Sequence, residues 1–403
     1  MSTEAGTLAR PWVLSEERDS RFVYGIAFWL ALIQVSIAAS EIVLAVLVCV
    51  WLYRAFQGAL TVYPLPVDRP IALYAGSSLL AALFSFDPAF SLHASKKLLL
   101  LVVPFMLVST VRRSSSVETL VLVLIVMADI GALVGLWQYQ FGDLGDLNHR
   151  IRGFMSHYMT YSGLLMGVGI LAFAQLLFRD RYRAFLISSL GVITLALLLS
   201  LTRNAWLGMA VGAVTLAFLR DKRLLLLVPL ITVAMALVLP RDVERRLGSF
   251  LSPDSSGVDR VYMLQAGMGM VANHPWLGVG PNMVAEVYPI YVARDAPRRD
   301  NPHLHNNMMQ IAAERGLPCL AAWLWILGVA FISSGRAFRR AANDSRGRAL
   351  AAGSLGVLIA GFLAGTFEYN FGDSEFQMLF LFAMTIPWIL DREVERDNAE
   401  AST

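Results

Sequence analysis

The sequence predicts an all-α polytopic membrane protein, with about twelve transmembrane helices and one large, partly helical loop. Three observations lead there. Of 403 residues, 57% are hydrophobic and only 16% charged, which excludes an ordinary soluble domain. The apolar residues fall into runs close to the ~20 residues needed to cross the ~30 Å hydrocarbon core. The basic residues gather in a few short loops, the pattern that fixes orientation in a bilayer.

In chain order the expected spans are 22–39, 41–56, 70–86, 97–111, 117–140, 159–178, 184–201, 204–219, 223–239, 317–335, 349–367 and 375–390. Residues 1–20 are polar and the first apolar run continues into the second, so no cleavable signal peptide is expected. No repeat of 20–50 residues is visible. Four loops are densely basic: Arg112/Arg113, Arg179/Arg181/Arg183, Arg220/Lys222/Arg223, and Arg336/Arg339/Arg340/Arg346/Arg348. With twelve spans and the N-terminus inside, all four fall on the cytoplasmic side, as do both termini. Lys96/Lys97, Arg150/Arg152 and Arg203 then lie on the outer face against this trend.

The whole chain, 1–403, reads as a single integral membrane domain, with residues 240–316 inserted as an outer loop between spans nine and ten. That segment carries eight arginines and eight acidic residues, a balance that argues against nucleic acid as a partner. The net charge of +3 mostly reflects the basic loops. Cys49 and Cys319 both fall in apolar spans and read as buried small hydrophobes.

Inside the loop, "DRVYMLQAGMGMVANHP" spaces Val261, Leu264, Met268 and Val271 as one helical stripe, with Asp259 as cap and "NHPWLGVGP" as terminator. A second helix is expected from Asn301, with Pro302 in its first turn, to Gly316. Met308, Met309, Ala312 and Ala313 would lie along the membrane surface, with His305 at that edge and His303 facing elsewhere. Glu314, near the helix C-terminus, needs a basic partner.

"NPHLHNNMMQIAAERG" (301–316) is too polar for its surroundings and holds the leading candidates. A histidine can accept a proton at neutral pH, which makes His305 a general-base candidate. Arginine forks match phosphate oxygens, which suits Arg203, Arg260 and Arg152 to an anionic ligand. Their structural alternatives are interfacial anchoring for Arg203 and Arg152, and pairing with Asp259 or Asp254 for Arg260. Lys96 and Lys97 read as anchors. Glu368, Asp373 and Glu375 crowd the outer end of span eleven, where they could bind a ligand or end the span. Asp300, His303 and His305 suggest a metal site but lack a fourth ligand, and no cofactor or metal is expected.

Three segments resemble a known family in order and on one face. "HNNMMQIAAERG" looks like the signature of the O-antigen ligase and O-antigen polymerase membrane superfamily. "LTRNAWLG" (201–208) and "DRVYMLQAGMGMVANHPWLGVGP" (259–281) are similar to its arginine-bearing span end and loop segment. The resemblance covers roughly residues 70–390. It implies a membrane glycosyltransferase in the bacterial inner membrane, acting at the periplasmic face. The donor would be undecaprenyl-diphosphate-linked O-antigen and the acceptor a sugar of lipid A–core, with inversion and no metal. On that resemblance His305, Arg203 and Arg260 are catalytic candidates, and Arg152, His303, Asn306 and Glu368 substrate-binding candidates. Ligase, polymerase and protein oligosaccharyltransferase share the signature and differ in acceptor. A transporter would instead place ionisable groups near mid-membrane, and a scaffold would leave the clustered histidines and arginines without a task.

Overall fold

The computed structural model describes residues 20–142, 144–146, 149–226 and 255–402, and every regular element among them is helical. Helices α1 (Ser20–Leu32), α2 (Ile37–Phe56) and α3 (Asp68–Leu83) are followed by α4 (Pro88–Ala94). A 3₁₀ segment, Ser95–Val102, joins α4 to α5 (Val103–Thr110). Then come α6 (Ser114–Phe141), α7 (Tyr158–Phe178), α8 (Arg183–Leu199) and α9 (Arg203–Arg220). The outer loop contributes α10 (Ser255–Asn273) and α11 (Val284–Tyr291). The chain closes with α12 (Asn307–Arg340), α13 (Ser345–Ala364) and α14 (Ser374–Ala401). Several starts are set by short polar caps. Ser36 accepts from the Ala39 N–H, Asp87 from that of Phe90, and Asp344 from those of Arg346 and Gly347.

The expectation of twelve spans needs correction. Among the described residues, six segments are long and apolar enough to cross a membrane: Ile37–Phe56, Pro88–Thr110, Ser114–Phe141, Tyr158–Phe178, Asn307–Arg340 and Ser345–Ala364. Helices α1, α3 and α8 have 13, 16 and 17 residues, shorter than a full crossing. Helix α9 begins and ends on arginine, and the C-terminal part of α14 is a charged run. Residues 1–19, and 227–239 of the expected ninth span, lie outside the described residues, as do 240–254 of the expected loop.

Helix α14 forms the centre of the bundle. Every residue from 374 to 390 is buried, the mark of a helix enclosed on all sides. Small residues on its neighbours receive its rings: a Cβ on Gly163 would stand 3.1 Å from Phe376, and one on Gly361 would stand 2.8 Å from Phe380.

The four basic loops converge on one end. Arg179 and Arg346 both grip buried Glu118, each through Nε at 2.9 Å. Arg340 meets Asp391 at 2.7 Å, and Arg220 lies over the Phe178 ring at 5.8 Å. The starts of α7, α9, α12 and α14 lie at the opposite end, with the polar segment 301–316.

Two other sequence readings change. Cys49 is exposed rather than buried, whereas Cys319 is buried and shares a 3.3 Å contact with Ser78. On α10 the predicted stripe of Val261, Leu264 and Met268 faces outward, and Met263, Ala266 and Met270 pack inward. This helix is apolar on two faces, so periodicity alone could not choose between them. Ala312 and Ala313 are likewise buried instead of lying on a surface.

Candidate active site

Two interruptions of helical geometry build the polar segment into a site. The first is at Gly316, whose φ of 80° and ψ of 170° break α12 internally. The break leaves the carbonyls of Ala313 and Glu314 without helical donors, and the "PWLGVGP" segment of the loop supplies them. The Val279 N–H donates to Ala313 at 2.8 Å and the Gly280 N–H to Glu314 at 2.9 Å, while Leu317 donates back to Pro275 at 2.8 Å. A side chain at Gly278 or Gly316 would overlap the facing backbone of Glu314 or Trp276, so both positions need glycine.

The second interruption precedes the helix. α12 starts at Asn307 rather than 301, because Asn306 is its N-cap, accepting from the Met309 N–H at 2.9 Å. The Asn306 amide also donates to the Thr366 carbonyl at 2.9 Å. Asn307 completes the clamp. Its backbone N–H donates to Gly365 at 2.7 Å, its side-chain amide donates to the Asn370 Oδ1 at 2.7 Å, and its Oδ1 accepts from the Phe371 N–H at 3.1 Å. Residues 301–306 are thus a non-helical loop fastened to the 365–371 loop between α13 and α14. Within α12, Gln310 accepts from the Leu304 N–H and donates to Glu314, which pairs with Arg315 at 2.6 Å. Arg315 is the basic partner that Glu314 required.

The clamp brings His305 to Glu368. His305 has a φ of 47°, a left-handed conformation that a non-glycine residue holds only when its surroundings enforce it. Its Nδ1 lies 2.8 Å from the Glu368 Oε2. Contrary to the helical expectation, His303 does not face elsewhere. Its ring centroid is 4.2 Å from that of His305, and its Nδ1 stands 3.8 Å from the Glu368 Oε1. Glu368 is 4% exposed and also accepts from the Tyr369 N–H at 3.0 Å.

Burial works to raise Glu368, but the hydrogen bond from His305 and the two imidazoles outweigh it and hold the carboxyl below its usual range. Glu368 is therefore a carboxylate and can only accept. In a neutral imidazole the proton shared with Glu368 sits on Nδ1 of His305, which leaves Nε2 as an acceptor. Burial pushes His303 down to about 4, so it is neutral near pH 7, and its Nδ1 has no hydrogen-bond partner among the described residues. Asp373, which accepts from Thr160 at 3.1 Å, is pushed up to about 7 by burial and by Glu368.

His303, His305 and Glu368 are also the residues whose ligand atoms, all within 4.8 Å of one another, could hold a cation. Asp300, the third ligand considered from sequence, is exposed and outside this group. The 2.8 Å His305–Glu368 contact is itself a hydrogen bond, which a cation would have to displace.

Arg203 and Arg260 stand at the starts of α9 and α10 rather than in the His–Glu cluster, both half-buried. Arg152 is exposed; its backbone N–H donates to Gln138 at 3.0 Å and its guanidinium to the Ser156 carbonyl at 3.3 Å, which stabilises its own turn. Its neighbour Arg150 reaches further. The Arg150 guanidinium lies over the Tyr158 ring at 4.3 Å and donates to the Leu201 carbonyl at 3.4 Å, two residues before Arg203. His157, stacked on Tyr158, lies within electrostatic reach of Glu368 and His305, and burial lowers its pKa. Sequence reasoning missed His157 and Asn307. His157 lies in the "RIRGFMSHYMTYSG" segment that drew attention to Arg152, and a histidine directly before an apolar span was the available signal.

Residues 188–324 match the family profile described as O-antigen ligase. The match includes Arg203, Arg260, His303, His305 and Asn306, and stops short of Glu368. Comparison with curated proteins gives no match.

Proposed function

From the O-antigen ligase match over residues 188–324, we propose that this chain transfers O-antigen glycan from an undecaprenyl-diphosphate carrier to a sugar hydroxyl of lipid A–core. The acceptor oxygen attacks the anomeric carbon from the face opposite the diphosphate, and His305 Nε2 takes its proton. The bond to the diphosphate breaks, and the carrier leaves with the bonding pair. Arg203 and Arg260 balance the charge that develops there, with no metal required. Inversion follows from the single displacement. Glu368 fixes the His305 tautomer and stabilises the imidazolium formed, while Asn306 holds the histidine loop in place. His303 and Arg152 line the path of the sugars.

The observation that carries this reading is the 2.8 Å His305–Glu368 pair, held at the end of the bundle opposite the basic loops. On the positive-inside rule the basic end is cytoplasmic, with both termini. The histidine end then faces the periplasm, where a lipid-linked glycan presents its diphosphate. In this reading α1, α3, α8, α9 and α14 cross together with their flanking residues, the expected ninth span (223–239), mostly outside the described residues, is the twelfth crossing, and the loop expected over 240–316 is periplasmic.

General-base catalysis is worth ~10²–10⁴-fold. His305→Ala should therefore lower transfer by at least that order with purified protein, lipid-linked glycan and lipid A–core, and chelator should leave the unsubstituted protein active. Retention of most activity by the variant would remove His305 from the reaction. In a deletion strain, loss of all O-antigen with the core intact supports a ligase. Core carrying a single repeat unit would mean a polymerase, and unchanged lipopolysaccharide would point to another acceptor.

A further inference from the structure

His157 has no part in the proton transfer, yet it stands in the same cluster. It lies directly before α7, meets solvent, and is within electrostatic reach of His305, Glu368 and Arg150. It is also within reach of His303. Its place is fixed from two sides. In the first turn of α7, Thr160 donates to the Asp373 Oδ2 at 3.1 Å, which ties this turn to the stretch between α13 and α14 that carries Glu368. On the other side the His157 ring stacks on Tyr158 at 4.5 Å, and the Arg150 guanidinium lies over that tyrosine at 4.3 Å. Arg150 in turn donates to the Leu201 carbonyl, two residues before Arg203. A row of side chains thus leads from the start of α9 toward the His305–Glu368 pair, with His157 as the member that reaches both.

The hydrogen bond within its own turn decides what His157 can offer. Its Nδ1 accepts from the Met159 N–H at 3.3 Å, so that nitrogen carries a lone pair and the ring's hydrogen sits on Nε2. The protein around it lowers its pKa, which keeps the ring neutral near pH 7. No hydrogen bond to Nε2 is made among the described residues. The cluster therefore holds two imidazoles of opposite use. His305 presents an acceptor at Nε2 and His157 a donor.

An inverting displacement sets the anomeric carbon between the attacking oxygen and the leaving oxygen. In the proposed reaction His305 marks the first of these and Arg203 the second. A side chain within reach of both ends of that line stands beside the sugar that is transferred. An uncharged N–H suits a hydroxyl or amide oxygen on that ring, whereas phosphate is better matched by the charged fork of arginine.

We propose that His157 binds the transferred sugar, the first residue of the lipid-linked glycan, by donating its Nε2–H to a hydroxyl or amide oxygen on the ring. This role rests on the transfer reaction proposed above and adds to it a residue that determines which sugar is accepted.

The test measures binding of two lipids to the purified full-length protein in detergent: undecaprenyl-diphosphate-linked O-antigen and bare undecaprenyl diphosphate. Two substitutions separate the two ring nitrogens. In His157→Asn the amide oxygen takes over the cap, where asparagine is favoured, and no donor reaches the Nε2 position. In His157→Gln the amide nitrogen replaces Nε2 and the cap is lost. His157→Asn should unfold at the temperature of the unsubstituted protein. It should bind the glycan-linked carrier about threefold to tenfold more weakly, and the bare carrier within about twofold. His157→Gln should bind the glycan-linked carrier better than His157→Asn does. Equal losses toward both lipids would make His157 a diphosphate ligand and overturn the sugar contact. Unchanged binding of both lipids by His157→Asn would overturn it outright, and so would weaker binding by His157→Gln than by His157→Asn. If His305→Ala transferred glycan normally while the selective loss at His157 persisted, the transfer reaction would fall and the sugar contact would stand.

Discussion

Replacing Glu368 by glutamine keeps the shape of the side chain and removes its charge. In the ground state little changes, because the glutamine carbonyl can still accept from Nδ1 of His305. In the proposed reaction the difference appears as His305 takes the acceptor's proton and becomes a cation facing a group that is 4% exposed. A hydrogen bond to a charged partner contributes ~1.5–3 kcal/mol net. The 2.8 Å contact is short enough to deliver that range. At about 1.4 kcal/mol per tenfold, Glu368→Gln should lower kcat by ~10–150-fold. Because the interaction strengthens only in the transition state, KM for the lipid-linked donor should stay nearly constant. Single-turnover transfer by purified protein, with saturating donor and acceptor, reads this directly. Activity within twofold of the unsubstituted protein would refute the argument. A raised KM for the acceptor with kcat intact would make Glu368 a sugar ligand instead.

Asn307→Ala should destabilise the protein by ~1–3 kcal/mol, since it orphans the Asn370 amide oxygen and the Phe371 N–H. Transfer should fall with it, measured alongside thermal unfolding in detergent. Asp373→Asn should change the pH dependence of unfolding. The folded pKa of Asp373, about 7, lies above the ordinary ~3.9, so its contribution is full below pH ~4 and is lost as pH rises through 7. The variant should match the unsubstituted protein near pH 4 and gain on it up to pH 7–8, by a few kcal/mol at most. Arg203→Lys and Arg260→Lys keep the charge but lose the planar fork, so transfer should fall in both while insertion is unchanged. Near-normal rates in both would mark these arginines as membrane anchors.

The membrane character and the two-ended distribution of charge were legible because both are one-dimensional properties of the chain. The site was legible in its residue types and not in its geometry. His305 could be singled out from its polar neighbourhood, but the helix drawn through it from Asn301 turned His303 away. In fact Asn306 caps the helix and a left-handed His305 brings the two rings together. Glu368 lies 63 residues further on, and only tertiary contact pairs it with His305. The span count erred because apolar runs and helices do not share their ends. Apolar runs such as 22–39, 70–86 and 184–201 hold helices of only 13, 16 and 17 residues, and composition does not show where within an apolar run a helix stops.

The central position of α14 has a consequence for how the protein is made. The helix that fills the middle of the bundle is synthesised after the helices it packs against, so those helices enter the membrane around a slot that is still vacant. Glu368 and the 365–371 loop arrive immediately ahead of it. Until that loop emerges, Asn307 has nothing to fasten and His305 no carboxylate. Completion of the core and completion of the site are therefore a single event. A chain stopped before α14 should carry every histidine and arginine of the site, yet be recognised by quality-control proteases as a loosely packed membrane protein.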